Sequence, residues 1–94
     1  MNIEDFEIKI KKYDREKNVV IVHLLILKII EIRGFIVRYA LTRYSHGSPV
    51  WIVSPPSVRI GKFYFWQFRC INLDLWKEIE KKMIELAIEY TNAV

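Results

Sequence analysis

Residues 32–73, 42 in all, contain neither Asp nor Glu. Other scarcities narrow the function classes further. Cys70 is the sole cysteine, which excludes an intramolecular disulfide and with it the scaffold of many small secreted domains. Three glycines leave no glycine-rich phosphate loop, and no Cys/His spacing fits a zinc site. No apolar run is long. Residues 19–27 are interrupted by His23 and followed by Lys28, Glu31 and Arg33, whereas a membrane helix needs roughly 20 apolar residues. Glu4, Asp5 and Glu7 stand where a secretory signal would carry a basic region and an apolar stretch, so a cytoplasmic protein is expected. A single glutamine amid abundant Lys, Glu, Ile and Tyr is a bias of hyperthermophile proteins.

The acid-free stretch is rich in cations and rings. Residues 31–72 hold Arg33, Arg38, Arg43, Arg59, Lys62 and Arg69 against Glu31 alone, a net +5 within a chain of net +4. Nine of the 13 aromatic residues fall there too: Phe35, Tyr39, Tyr44, Trp51, Phe63, Tyr64, Phe65, Trp66 and Phe68. Cations that neutralise phosphates and rings on which bases stack are what single-stranded nucleic-acid surfaces require. The same composition also suits a strand-rich core with polar edges. Ninety-four residues make one domain, residues 1–94. With a hydrophobic fraction of 52%, some apolar surface must lie outside a monomer that small, which points to a homo-oligomer, a partner or a ligand face.

Periodicity predicts an α+β fold. Phe6, Ile8 and Ile10 alternate with Glu7, Lys9 and Lys11, the period of a half-buried strand. Residues 14–18 read as a polar turn, and residues 19–27, rich in β-branched side chains, as a central strand buried on both faces. A second extended run covers about 29–41, with Gly34 marking a bulge or the close approach of another backbone. Residues 44–48 read as a loop, 50–53 as a short strand closed by Pro55 and Pro56, and 62–71 as a further strand after a turn at Gly61. Asn72 is a good N-cap with Asp74 in the first turn behind it. Leu75, Ile79, Met83, Leu86 and Tyr90 then recur on one helical face, Trp76 and Ala87 at its margin. Ile84 and Ile88 fall off that stripe, as scattered surface residues or as an association ridge.

The expected architecture is a four- to five-stranded antiparallel β-sheet with one long C-terminal α-helix packed on one face. One helix covers one face only. In strand 62–71, the uncharged set Tyr64, Trp66, Phe68 and Cys70 is assigned to the helix side. Phe63, Phe65, Gln67, Arg69 and Ile71 then lie on the open face.

Pro56-Ser57, then Gly61-Lys62-Phe63, then Ile71-Asn72 opening a helix that runs to Tyr90, resembles the stage V sporulation protein G (SpoVG) family. There a short strand ends in Pro-Ser, Gly-x-Phe leads the next strand, and Ile-Asn starts the terminal helix. Residues 6–10 look like that family's first strand and 19–39 like its central hairpin, so the resemblance spans about residues 5–90; Cys70 departs from it, standing where the family usually has proline. It implies a small dimeric DNA-binding protein, in some members RNA-binding, that acts as a regulator without enzymatic chemistry. Ile71-Asn72-Leu73 through Trp76 is also similar to the strand-to-helix junction of coactivator-type single-stranded-DNA-binding domains.

Catalytic constellations find little support. His23 sits between Val22 and Leu24, a setting for a histidine bonded to backbone. His46 has Ser45 and Ser48 beside it but no acid nearby in sequence to orient it. Cys70, in an apolar strand, reads as an inert thiol. The helix carboxylates Glu78, Glu80, Glu85 and Glu89 interleave with Lys77, Lys81 and Lys82 as a solvated face. The expectation is therefore a non-enzymatic nucleic-acid-binding homodimer that needs no metal or cofactor, takes no small-molecule substrate and does not enter a membrane. Phe63, Phe65 and Trp51 would stack on bases, with Arg33, Arg38, Arg43, Arg59, Lys62 and Arg69 on phosphates. Alternatively, the chain is a protein-interaction module whose apolar sheet face, Phe63 and Phe65 included, is a dimer or partner interface.

Overall fold

The computed structural model describes residues 2–41 and 47–93. Four antiparallel strands, β1 (Phe6–Asp14), β2 (Val19–Ile26), β3 (Ile30–Ala40) and β4 (Val50–Ser54), form one sheet in the order β1-β2-β3-β4. β5 (Ser57–Ile60) and β6 (Phe63–Trp66) pair only with each other, as a separate hairpin, before the C-terminal helix α1 (Leu73–Ala93). This is the expected α+β arrangement.

Alternation decides which side chains enter the core. From β2 come Val20, Val22 and Leu24, from β3 Phe35 and Val37, from β4 Val53, and from α1 Ile79, Met83 and Ala87, all buried together with Phe6. Ala87 is thus central to the helical stripe rather than marginal to it. A methyl there lets the helix approach the sheet closely, while Tyr90, expected on the stripe, is more than a third exposed and meets Tyr13 edge-on, centroids 6.4 Å apart. Ile84 packs against the core and Ile88 is half-buried, so neither builds a free ridge. The helix starts as its sequence predicts: the Asn72 side-chain oxygen accepts the Leu75 N–H at 3.1 Å, and the Asn72 carbonyl accepts the Trp76 N–H at 2.9 Å.

Two bulges interrupt the ladder. One lies between Ile10 and Lys12, with Lys11 as the extra residue against Val22 and Ile21 of β2. The other lies on β3, where Arg33 and Gly34 together oppose His23. Gly34 takes φ +94°, where a side chain is strained; a Cβ there would come no closer than 3.9 Å to Pro56, so backbone conformation and not crowding calls for glycine. The turn between β2 and β3 places Leu27 and Lys28 at φ 53° and 58°, the left-handed pair of a type I′ turn built without glycine.

Two expectations are corrected. β2 is central but not buried on both faces: Val19, Ile21, His23 and Leu25 are half-buried on the face the helix does not reach. The strand predicted over 62–71 stops at Trp66, and its hairpin leaves the main sheet. The Pro55-Pro56 pair explains the departure, since proline donates no N–H to continue the β4 ladder. Gln67 N–H donates to the Pro56 carbonyl at 2.6 Å, closing the hairpin at its base.

Candidate nucleic-acid interface

The open face is assembled by strand register. Lys9 pairs His23, Lys12 pairs Ile21, Val19 pairs Arg38, Ile21 pairs Ile36, and Arg38 pairs Ile52 across the ladder. These residues therefore share the side opposite the helix. At one end Glu31 lies between two bases: Arg33 Nε is 2.6 Å from Glu31 Oε1, and His23 Nδ1 is 3.7 Å from the same oxygen. The Arg33 hydrogen bond holds the exposed Glu31 carboxyl below its ordinary value, with the charges of Arg33, His23 and Lys9 acting in the same direction and desolvation opposing them. Arg33 is thus partly neutralised where it stands.

About 15 Å further along β3, at roughly 3.3 Å per residue, Arg38 faces a groove. The groove encloses about 580 Å³, with a floor of Val19, Ile21 and Ile36, an end formed by Asp14 and Lys17, and a far wall of Ser57, Tyr64 and Trp66 from the hairpin. Among the described residues Arg38 is in no salt bridge. Asp14 is engaged in its own turn, its Oδ1 accepting the Glu16 and Lys17 N–H groups at 3.1 and 3.2 Å.

The hairpin has two unlike faces. Register puts Ser57 opposite Trp66 and Arg59 opposite Tyr64 on the inner face, and Val58 opposite Phe65 and Ile60 opposite Phe63 on the outer. The Arg59 guanidinium stands 5.9 Å from the Tyr64 ring centroid, and its Nε donates to the Gly61 carbonyl at 3.0 Å. The outer face is apolar at all four positions, from 43% exposed at Val58 to 69% at Phe63.

The predicted site residues therefore do not form one surface. Arg33 and Arg38 share the open sheet face, and Arg59 the hairpin's inner face. Lys62 lies at the hairpin turn. Arg69 lies beyond β6, lining a hollow of about 400 Å³ with Pro55, Trp66, Phe68, Cys70, Leu73 and Trp76. Arg43 lies outside the described residues, as do Tyr44 and His46. Trp51 belongs to the other side: it pairs Tyr39 across β3 and β4, rings 5.3 Å apart, and packs against the helix-side core. Phe63 and Phe65 occupy the outer hairpin face, away from Arg38.

The face assignment of 62–71 also changes. Tyr64 and Trp66 are 67% and 65% exposed and border the groove; of that set only Phe68 packs into the core, against Phe35 and Trp76. Cys70 is half-buried with its thiol 3.4 Å from the Asn72 carbonyl. Lys17, Tyr64 and Trp66 were not among the predicted site residues. The detachment of the hairpin that exposes them is signalled in the sequence only by Pro55-Pro56.

Among the described residues no group of three or more His, Cys, Asp or Glu side chains is arranged to hold a metal, and no helix is long and apolar enough to cross a membrane. In comparisons with protein-family models, curated proteins and solved structures, nothing matches this chain.

Proposed function

We propose that this chain is a small nucleic-acid-binding regulator without enzymatic chemistry, working through the open sheet face and the hairpin beside it. The observation that carries the reading is Arg38: a cation in no salt bridge among the described residues, lining a groove with an aliphatic floor and exposed aromatic side chains. A cation so placed gains from a phosphate, because releasing condensed counterions favours association, and exposed rings supply faces for bases. The resemblance of Pro56-Ser57, Gly61-Lys62-Phe63 and Ile71-Asn72 to the SpoVG family points the same way. Labelled single-stranded DNA, duplex DNA and RNA titrated with protein at several salt concentrations test it. Binding that weakens steeply with salt is expected; no retention of any of the three at low ionic strength overturns it.

A second reading, an interaction module, is favoured by the outer hairpin face. Val58, Ile60, Phe63 and Phe65 form an apolar surface on a two-stranded element, a unit that is marginal in water without something packed against it. The two readings are compatible in a homodimer that joins through the outer face and binds nucleic acid through the inner one.

A further inference from the structure

We infer that the groove between the open sheet face and the inner hairpin face selects single strands, with Tyr64 and Trp66 stacking on unpaired bases while Lys17, Arg38 and Arg69 hold the phosphates around them. The inference rests on the nucleic-acid reading above and adds strandedness and the residues that enforce it.

Three observations carry it. First, Trp66 borders two hollows, one lined by Lys17 and Arg38 and the other by Arg69. Each hollow that the ring borders is thus lined by a cation, the first also by Asp14, whose carboxylate is engaged in its own turn. Such an arrangement suits a backbone that places phosphates before and after a stacked base. Second, the rings are open: Tyr64 and Trp66 are each about two-thirds exposed, yet their hairpin is fixed at its base by the Gln67–Pro56 hydrogen bond. Exposed, positioned rings stack on bases at little ordering cost. Third, the floor of Val19, Ile21 and Ile36 offers apolar contact, with the hydroxyls of Ser54 and Ser57 lining the groove beside it. Such a floor accepts the face of any base. Binding should therefore be tolerant of sequence.

Duplexes gain little here. Their base faces are hidden in the stack, and exposing one means breaking its stacking and pairing. The cations would still attract duplex phosphates, so the discrimination lies in the rings and not in the charge.

The test uses the full chain with three probes of equal length: a single-stranded oligothymidylate, a duplex, and an abasic sugar-phosphate strand. The intact protein should bind the single strand at least about tenfold more tightly than either of the others. Trp66→Ala and Tyr64→Ala should each lose roughly tenfold on the single strand, with duplex and abasic affinities unchanged and Trp66→Phe retaining most of the binding. Thermal melting that matches the parent confirms that the variants fold. Duplex binding as tight as single-strand binding, or single-strand affinity untouched by both substitutions, overturns the inference and leaves the nucleic-acid reading standing. Failure to bind any of the probes at low ionic strength overturns both.

Discussion

Phe68 stands edge-on to Phe35, ring centroids 5.1 Å apart and planes at 71°. Trp76 of α1 completes the cluster, 5.6 Å from Phe68 and 6.1 Å from Phe35. Phe35 is fully buried at the centre of β3, so this ring trio joins three parts of the chain: the main sheet, the segment that leaves the hairpin, and the first turn of the helix. The hairpin's orientation depends on that anchor.

Phe68→Ala should destabilise the protein by about 2–3 kcal/mol, somewhat below the roughly 3–5 kcal/mol of a fully buried Phe, because Phe68 is only half-buried. Urea unfolding followed by fluorescence measures it. A midpoint within error of the parent's would mean that the hairpin is held by other contacts.

On the outer hairpin face, Phe63→Ser with Phe65→Ser should convert a dimer into a monomer while leaving the melting temperature of the main sheet nearly unchanged, since both rings are exposed in the single chain. Sedimentation equilibrium distinguishes the two masses. The association should be insensitive to salt, because none of the four side chains on that face is charged. A parent chain that stays monomeric at high concentration rules the interface out.

Charge substitutions separate the two arginines of the open face. Arg38→Ala should weaken binding and lower the slope of log affinity against log salt by roughly 0.7 on a single strand. Arg33→Ala should do less, because Glu31 already occupies that guanidinium. Glu31→Gln should tighten binding several-fold at low salt by releasing Arg33 to phosphate. Equal losses for Arg33→Ala and Arg38→Ala would show that Glu31 does not compete.

Glu80 supplies a pH test of the fold. Burial raises its carboxyl above the ordinary 4.5, with Lys77 opposing. The native state then holds the proton more tightly than the unfolded state, so stability falls as pH rises through the window above 4.5. Glu80→Gln should therefore raise the melting temperature at pH 7 and leave it unchanged near pH 4. A gain of equal size at both pH values would assign the effect to helix propensity instead.

Much of this fold is legible in the sequence because its signals are local. Asn72 caps the helix it was expected to cap, the alternation in Phe6, Ile8 and Ile10 builds β1, and Gly34 marks a real bulge. The face of Tyr64 and Trp66 was not legible. Their lack of charge reads as core, but whether an uncharged strand is buried depends on what packs over it, and that is a tertiary matter. Trp51 fails for a related reason: its aromatic character suits stacking or core equally, and its register with Tyr39 decides for the core. Ala87 likewise gains its central position from how closely the helix approaches the sheet, which side-chain hydrophobicity does not encode.

The bulge at Gly34 sets the parity of β3. Phe35 and Val37, at odd positions, face the helix, but beyond the bulge it is the even position Ile32 that does so, and Arg33 points to the open face with Glu31. Were Gly34 paired as a regular ladder residue opposite His23, Arg33 would fall opposite Leu24 and be driven toward the core with Ile32 turned into water, whereas deleting Gly34 would pair Arg33 with His23 and keep both on their present faces. By absorbing a residue that carries no side chain, the bulge thus keeps a charge displayed on the open side of the molecule.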